Sequence, residues 1–359
     1  MIRSAHALIR LESLTDNLNL IRSFAPHSKV MAVVKADAYG HGLIKTAQAL
    51  NKSDAFAVAC INEALTLRSA GILHPIICLQ GFSNQQELRD FSNSNIQAVI
   101  HSEHQLELLR TEKLKQGLCV WLKIDTGMSR LGFSKEEAAS VYQQLDSYSN
   151  VSKIRLMTHL ANADILDEAT TYRQQANFDQ AVAGIQGCEK SIANSAASFA
   201  YPATQHDWIR PGLALYGISP FQNEKSHPDL SELKPVMSVR APVIAIKQVK
   251  QGERIGYGGS YTCPQDMRIG IVAMGYADGY PRSLEKTVPV SVRGRLCDVL
   301  GRVSMDMITI DLSHCDCEIG EHIELWGDDV PVADIAEAAN TITYELLCRI
   351  AAHVRREYV

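Results

Sequence analysis

Residues 31–42 read MAVVKADAYGHG, an apolar run typical of a buried β-strand that stops on a lysine. Met31 to Val34 form the strand-like part, Lys35 stands at its carboxyl end, and two glycines follow before helical periodicity resumes. Taken alone, this pattern is typical of a solvated lysine at a strand end. The segments that follow change the interpretation of this lysine, because they predict the kind of sheet to which the strand belongs.

Short β-type runs alternate with helical segments from residue 30 to about residue 217. Several of the runs are apolar on both faces, as strands of a covered parallel sheet should be. Eight such strand–helix units predict an α/β fold with an N-terminal (β/α)8 TIM barrel. A doubly wound open sheet is the alternative, and the lack of a glycine-rich dinucleotide turn after the first strand disfavours it. The runs are VMAVVK (30–35), AFAVA (55–59), PIICLQ (75–80), QAVIHS (97–102), CVWLKID (119–125), KIRLMTHL (153–160), SIANSA (191–196) and DWIRPG (207–212).

The clearest helical segment covers residues 102–117. Its sequence, SEHQLELLRTEKLKQG, has a capping-box pattern at Ser102 and Gln105 and a glycine stop signal at Gly117.

The sequence changes character after residue 217. A polar connection at residues 219–235, SPFQNEKSHPDLSELKP, precedes alternating or β-branched runs separated by Gly, Pro and Asp turns. These runs predict a C-terminal, mostly β domain that closes with a helical segment around residues 334–354. We therefore assign residues 1–227 to the barrel and residues 228–359 to the β domain. The domain assignment of the first strand is left open, because this strand could join the β domain.

Composition excludes several classes of function. The 359 residues carry a net charge of −5 with no long basic run, so neither a nucleic-acid nor a membrane surface is indicated. No window is apolar enough to span a membrane, and the N-terminus has no signal-peptide pattern. The nine cysteines are odd in number and scattered, and the one cluster, at residues 314–317, lacks a second cysteine pair. We expect a cytoplasmic protein with no metal site.

Polar residues recur where the predicted barrel strands end. Barrel enzymes place their chemistry at these carboxyl ends, so these residues would face one mouth. A partly desolvated lysine there has a lowered pKa and is suited to Schiff-base chemistry. Ser195 and the Gly212 backbone follow the seventh and eighth strands, where barrels usually bind phosphate. A lysine beside a phosphate-binding site predicts pyridoxal phosphate as the cofactor. The strand ends carry Lys35, Lys123, Asp125, Thr158, His159, Asn194, Ser195, Arg210 and Gly212.

A series of motifs along the whole chain resembles the alanine racemase family. They are AVVKADAYGHG, LKIDTGMSRLGF, MTHLANAD, NSAAS, RPGLALYG, GYGGSYT, GYADGYPR, GRVSMDM and TITYELLCRI, in this order. The resemblance extends to about residue 349. It implies a homodimer of two-domain chains that uses pyridoxal 5′-phosphate to interconvert L- and D-alanine, with D-alanine supplied for peptidoglycan.

The resemblance implies the following catalytic roles. Lys35 matches the lysine that holds the cofactor and serves as one base. Tyr257 matches the opposite base, which the partner subunit contributes. Two bases on opposite faces of Cα allow racemisation without moving the substrate. Arg210 matches the residue that faces the pyridine nitrogen, and His159 matches the histidine between the tyrosine base and this arginine.

The remaining positions match binding roles. Arg130 and Met305 match substrate-carboxylate contacts, the latter through its backbone and from the partner chain. Lys123 matches a lysine that is carbamylated in many family members and holds Arg130 in place. Matches to cofactor contacts, mostly to the phosphate, are Tyr39, Asn194, Ser195, Gly212, Leu213 and Tyr344.

Two alternatives stay open at this point. One is a racemase for another amino acid, such as serine or lysine, on the same scaffold. The other is a pyridoxal-phosphate carrier protein, which would share the barrel but lack the β domain. The sequence also departs from the family pattern, because Ser304 replaces a frequent cysteine and the tail HVRREYV lacks the usual proline.

Overall fold

The computed structural model describes residues 5–165, 168–221 and 229–359. The chain divides into two compact units. The first contains the chain through Ser13, the short segment Tyr39–Gly42 and the segment Pro235–Val359. The second contains Leu14–Ala38 and Leu43–Lys234. The domain boundary placed between residues 227 and 228 lies at 222–228, outside the described residues.

The second unit is a closed barrel of parallel strands, which confirms the predicted TIM barrel. The last barrel strand pairs with the first, joining Trp208 to Lys29 and Ile209 to Val30. Helices between the strands cover the sheet, so strands such as Ala55–Val58 are buried at every position. The barrel strands are β2 (Lys29–Val33), β3 (Ala55–Val58), β4 (Ile76–Cys78), β5 (Ile96–Ile100), β6 (Leu118–Lys123), β7 (Val151–Met157), β8 (Lys190–Asn194) and β9 (Trp208–Arg210).

The helices of the barrel region follow the strands in alternation. Leu11–Phe24 leads into the barrel, and a short helical turn, Leu213–Tyr216, follows the last strand. The others are Leu43–Ala49, Ile61–Ser69, Gln85–Asn93, Glu103–Thr111, Ala138–Ser147, Glu168–Ala181 and Ser195–Ala200.

The helix predicted over residues 102–117 is shorter than expected, because it ends at Thr111. The side-chain amide of Asn150 donates to the carbonyls of Leu109 and Glu112, at 2.8 and 2.6 Å, and thereby caps the helix end. The predicted capping box is not formed. Gln105 accepts the N–H of His101, whereas the Ser102 side chain makes no capping bond.

The first unit is built on a mixed eight-stranded sheet, which confirms a mostly β C-terminal part. Its N-terminal strand β1 (His6–Ile9) pairs antiparallel with β10 (Met237–Val249) and parallel with the C-terminal strand β18 (Arg355–Tyr358). The tail that departs from the family pattern is therefore ordered as a strand. The other strands are β10 (Met237–Val249), β11 (Arg254–Ile255), β12 (Tyr261–Thr262), β13 (Met267–Val272), β14 (Pro289–Val292), β15 (Arg295–Leu300), β16 (Ile308–Asp311), β17 (His322–Trp326) and β18 (Arg355–Tyr358), with β11 and β12 forming a separate hairpin.

Helical structure around residues 334–354 is confirmed, but it is divided into two helices. The structure has two helices there, Val332–Ala338 and Thr343–Arg349. The first ends in a Schellman motif, in which Asn340 adopts a left-handed φ of 52° and the Thr341 N–H donates to the Ala336 carbonyl. Asparagine tolerates this conformation, so it ends the helix where the sequence pattern suggested continuation.

The cysteine sulfurs are mostly separate. The Sγ atoms of Cys297 and Cys315 are in contact, but their Cα atoms are 7.3 Å apart, which is beyond the usual span of a disulfide. The other seven cysteines are free. Within the described ranges, no group of three or more His, Cys, Asp and Glu side chains is arranged to hold a metal ion. No helix in these same ranges is both long and apolar enough to cross a membrane.

Candidate active site

Lys35 follows β2 and opens a strained turn. Ala36, Asp37 and Ala38 have φ values of 55°, 52° and 54°, all in the left-handed region. Each non-glycine residue costs roughly 1–2 kcal/mol in this conformation, so the surrounding structure must hold the turn in place. The Asp37 carboxylate does so from one side by accepting the Leu43 N–H at 2.8 Å.

Arg210 ends the last barrel strand and is buried. Its guanidinium donates to the Ser191 hydroxyl and to the Thr158 carbonyl, each at 2.6 Å, and to the Ile192 carbonyl at 3.2 Å. Burial lowers the pKa of Arg210 to about 10, which still leaves the side chain protonated at neutral pH. These bonds fix the orientation of a permanent cation at the carboxyl end of the barrel.

His159 lies beside Arg210, with 3.4 Å between its Nδ1 and the guanidinium Nη2. Burial, followed by the charges of Arg210 and Lys123, holds the pKa of His159 well below its usual range. The ring is therefore neutral at neutral pH. Because arginine can only donate, Nδ1 must be the accepting nitrogen, and the ring proton is on Nε2. His159 can thus donate a hydrogen bond to a further group from Nε2.

Lys123 ends β6 among other cations. Burial, and next the charges of Arg210 and Arg130, lower the pKa of Lys123 to about 8. Asp125 acts in the opposite direction. A lysine with this pKa has a sizeable neutral fraction near neutral pH, and a neutral amine is the nucleophilic form.

The Asp125 carboxylate organises the loop that carries Arg130. One of its oxygens accepts the N–H groups of Gly127, Met128 and Ser129, at 2.9, 3.1 and 3.1 Å. Arg130, the next residue, is exposed. The loop therefore presents an arginine from a fixed backbone.

Ser195 and the segment after β9 form a set of donors. The Ser195 hydroxyl oxygen accepts the N–H groups of Gly212 and Ala214, at 2.8 and 3.4 Å. Both lone pairs are then used, so the hydroxyl hydrogen is directed to another acceptor. The Asn194 side chain accepts the Ala197 N–H at 3.0 Å and caps the helix that carries Ser195. Leu213 is buried beside this cluster in the chain.

Four of the predicted site residues belong to the first unit. The rings of Tyr39 and Tyr344 are 5.8 Å apart, and burial raises the pKa of Tyr39 above its usual range. Tyr257 is 68% exposed and lies in a turn with glycines on both sides. Met305 is 53% exposed, and its carbonyl accepts the Ala277 N–H at 2.9 Å.

The barrel unit thus brings most of its predicted residues together. Lys35, Lys123, Arg130 and Arg210 all act on the pKa of His159, which places four cationic side chains around one mouth. Such an excess of positive charge favours anionic ligands.

Sequence reasoning missed several supporting residues, two of which contact Arg210 and His159. Ser191 accepts from Arg210, and Gln174 donates to the His159 carbonyl at 3.2 Å while accepting the Ala161 N–H. No local sequence signal marks either residue, because each acts through a contact with a distant part of the chain.

Comparison with known proteins identifies the family. The model of the alanine racemase N-terminal domain matches residues 9–220, and that of the C-terminal domain matches residues 236–358. This chain belongs to the alanine racemase family. An alanine racemase from Coxiella burnetii is 49% identical over 356 residues, with 98% of each chain covered.

Solved structures of the family have the same fold. The alanine racemase from Acinetobacter baumannii superposes with a TM-score of 0.94 at 40% identity, covering 99% of this chain and 100% of that one. The alanine racemase from Bartonella henselae, solved with covalently bound pyridoxal phosphate, superposes with a TM-score of 0.88 at 29% identity, covering 99% of both chains.

Proposed function

We propose that this chain interconverts L- and D-alanine with pyridoxal 5′-phosphate as cofactor. The observation that carries the proposal is the pair of Arg210 and neutral His159 in a cationic barrel mouth whose first strand leads into Lys35. Membership of the family over both domains supports alanine as the substrate. Supply of D-alanine for peptidoglycan and a cytoplasmic location are parts of the same proposal.

The donor groups of the barrel fit this cofactor. Ser195 has a hydroxyl hydrogen to donate, because its oxygen already accepts two backbone N–H groups. Lys35 would hold the cofactor covalently, Arg210 would face its ring nitrogen, and Ser195 would bind its phosphate together with the Gly212 and Leu213 backbone. The resemblance adds the hydroxyls of Tyr39 and Tyr344 to the phosphate contacts. Asn194 would contribute by capping the helix of Ser195.

When bound, the cofactor supplies an electron-withdrawing ring that acidifies the Cα hydrogen of the amino acid. The Lys35 amine would remove or return the proton on one face of Cα. The Tyr257 phenol of the partner subunit would act on the other face. A tyrosine normally keeps its proton up to about pH 10. The Nε2–H of His159 would donate to the phenolate oxygen and so stabilise the deprotonated form of the tyrosine.

Arg210 would direct the reaction toward racemisation. Its pKa, although lowered to about 10, keeps it protonated, so it can donate to the ring nitrogen but not accept from it. The ring nitrogen would then stay unprotonated, and the ring would be a weaker electron acceptor. This favours return of the proton to Cα over other reactions of the bound amino acid.

We further propose that Lys123 is carbamylated. Its pKa of about 8 provides the neutral amine, which would add to carbon dioxide and release one proton to solvent to form the carbamate. The resulting anion would compensate the positive charge of Arg130 and orient its guanidinium toward the substrate carboxylate.

The active form is proposed to be a homodimer with shared sites. The partner subunit's Tyr257 and Met305 would complete each barrel mouth. The exposure of both side chains supports this, because groups that serve a second chain must lie on the surface of their own. A twofold arrangement would give two equivalent sites.

Racemisation by purified protein tests the proposed function. We expect D-alanine from L-alanine, and little D-serine or D-lysine from the corresponding L-amino acids, measured by chiral chromatography. Lys35→Ala serves as the control for a contaminating racemase. Faster turnover of L-serine or L-lysine than of L-alanine would assign a different substrate, and equal activity of the Lys35→Ala protein would reject the site.

A further inference from the structure

Glu63 contacts the strained turn that follows Lys35. One of its carboxylate oxygens, Oε1, accepts the Ala36 N–H at 2.6 Å. The other, Oε2, accepts the Ala59 N–H at 2.7 Å. Ala36 follows β2, and Ala59 follows β3, the neighbouring barrel strand. Through these two hydrogen bonds, one carboxylate therefore links the backbone next to Lys35 to the connection between β3 and the helix that follows it.

The contact to Ala59 is a helix cap that recurs along the barrel. Glu63 is the third residue of helix Ile61–Ser69, and it accepts the N–H four residues before it. Glu87 holds the same place in helix Gln85–Asn93 and accepts the Ser83 N–H at 2.7 Å. Gln105 does so in helix Glu103–Thr111 and accepts the His101 N–H at 2.8 Å. Three consecutive units thus share one local capping bond.

The second side-chain atom distinguishes Glu63 from Gln105. In Gln105 it is an amide nitrogen, which donates to the carbonyls of Phe82 and Val99 at 3.2 and 3.3 Å. In Glu63 the second atom faces the Ala36 N–H and must accept. An amide nitrogen cannot accept, so glutamine would retain the cap and lose the contact to Ala36. The second oxygen of Glu63 therefore serves the turn and not the helix cap.

We propose that Glu63 is a positioning residue for Lys35. By accepting the Ala36 N–H, it fixes the left-handed turn and with it the direction in which the Lys35 side chain leaves the backbone. A displacement of a reacting group by about 1 Å can reduce a rate about a hundredfold. The inference rests on the proposed role of Lys35 as cofactor lysine and base. It adds a residue that touches neither cofactor nor substrate.

Glu63→Gln tests the proposal, with Glu87→Gln as the matched control. Both variants exchange the same groups at the same helix position, and only the first removes a contact to Ala36. The first measurement is hydrogen exchange of the Ala36 amide, by mass spectrometry with fragmentation of the peptide around it, on the protein as purified. We expect exchange in Glu63→Gln to be roughly tenfold to a hundredfold faster, because a hydrogen bond to a charged group is lost. Glu87→Gln should exchange as the wild type does.

The second measurement separates positioning from general destabilisation. We expect kcat for alanine to fall roughly tenfold to a hundredfold in Glu63→Gln, with KM changed less than about threefold. Melting temperatures of the two variants should stay close to each other. If Glu63→Gln does not fold, Glu63→Asp provides the same test, since its carboxylate is one methylene too short to reach both N–H groups.

The outcomes distinguish this inference from the proposed function. Wild-type protein that does not racemise alanine would reject the proposed function, whereas the exchange of Ala36 would still report on the contact. Unchanged Ala36 exchange in Glu63→Gln, or a kcat equal to that of the wild type, would reject the positioning role. An equal loss of kcat in both glutamine variants would also reject it.

Discussion

The guanidinium of Arg210 donates to Nδ1 of His159, and this fixes the proton of the neutral imidazole on Nε2. The two residues are separated by 51 positions in the sequence and stand at the ends of different barrel strands. The arginine holds the histidine in one tautomer, and its charge keeps the histidine from becoming a cation.

Borohydride reduction should attach the cofactor to Lys35. The amine lies at the start of the strained turn at the barrel mouth, where the proposed covalent link forms. Peptide mapping of the reduced protein should find the pyridoxyl group within residues 30–41. Attachment to Lys123 instead would exchange the roles of the two lysines.

Tyr257→Phe should retain cofactor binding and lose racemisation by about two to four orders of magnitude, because one face of Cα loses its base. Solvent-isotope exchange should become unequal for the two enantiomers, since Lys35 still serves its own face. The absorption spectrum of the protein-bound cofactor serves as the control for intact binding. Near-normal rates in both directions would contradict the two-base assignment.

Mixing two inactive variants should restore activity if the sites are shared. In a dimer of one Lys35→Ala chain and one Tyr257→Phe chain, one of the two sites receives both wild-type residues. Random exchange makes about half of the dimers mixed, so activity should approach roughly a quarter of the wild-type value. Mixtures that stay inactive after proven subunit exchange, or a fully active monomer in sedimentation, would refute the shared site.

Carbamylation of Lys123 should depend on pH and on bicarbonate. The pKa of Lys123, lowered to about 8, means that the neutral amine increases steeply as pH rises toward 8. Activity in bicarbonate should therefore rise over this range relative to activity in carbon-dioxide-free buffer. Lys123→Ala should remove the difference. If bicarbonate changes neither the activity of the wild-type enzyme nor its intact mass under native conditions, Lys123 is not carbamylated.

His159 should make the protein less stable in acid. Its pKa in the folded state is lowered by burial and by neighbouring cations, whereas the unfolded chain has the ordinary value of about 6.5. Below that pH the unfolded state binds a proton that the folded state does not, so stability falls as pH decreases. The contribution of this one group is at most about 1.4 kcal/mol per pH unit.

His159→Gln should remove that part of the acid sensitivity. Comparing the melting temperatures of wild type and variant between pH 7 and pH 5 measures the difference. As the pH falls, the melting temperature of the variant should rise relative to that of the wild type. Parallel curves would mean that His159 has an ordinary pKa in the folded protein.

The alternation of β-type and helical segments was sufficient to predict the barrel, because a covered parallel sheet requires strands that are apolar on both faces. Helix ends were less predictable. The segment around Glu103 continues its helical pattern to Gly117, yet the helix stops at Thr111, where Asn150 binds its last carbonyls. That contact joins residues about forty positions apart, and no local pattern contains it.

The sequence by itself determined which polar residues stand at the strand ends, because chain order and side-chain periodicity are local properties. Lys35, Lys123, His159 and Arg210 were recognisable on that basis. Only the tertiary structure decided their chemical state. The pKa of Lys123 is lowered to about 8, and His159 is kept neutral, by burial and by charges from other strands. The left-handed turn held by Glu63 is equally non-local, since its strain is tolerated only where distant groups supply compensating hydrogen bonds.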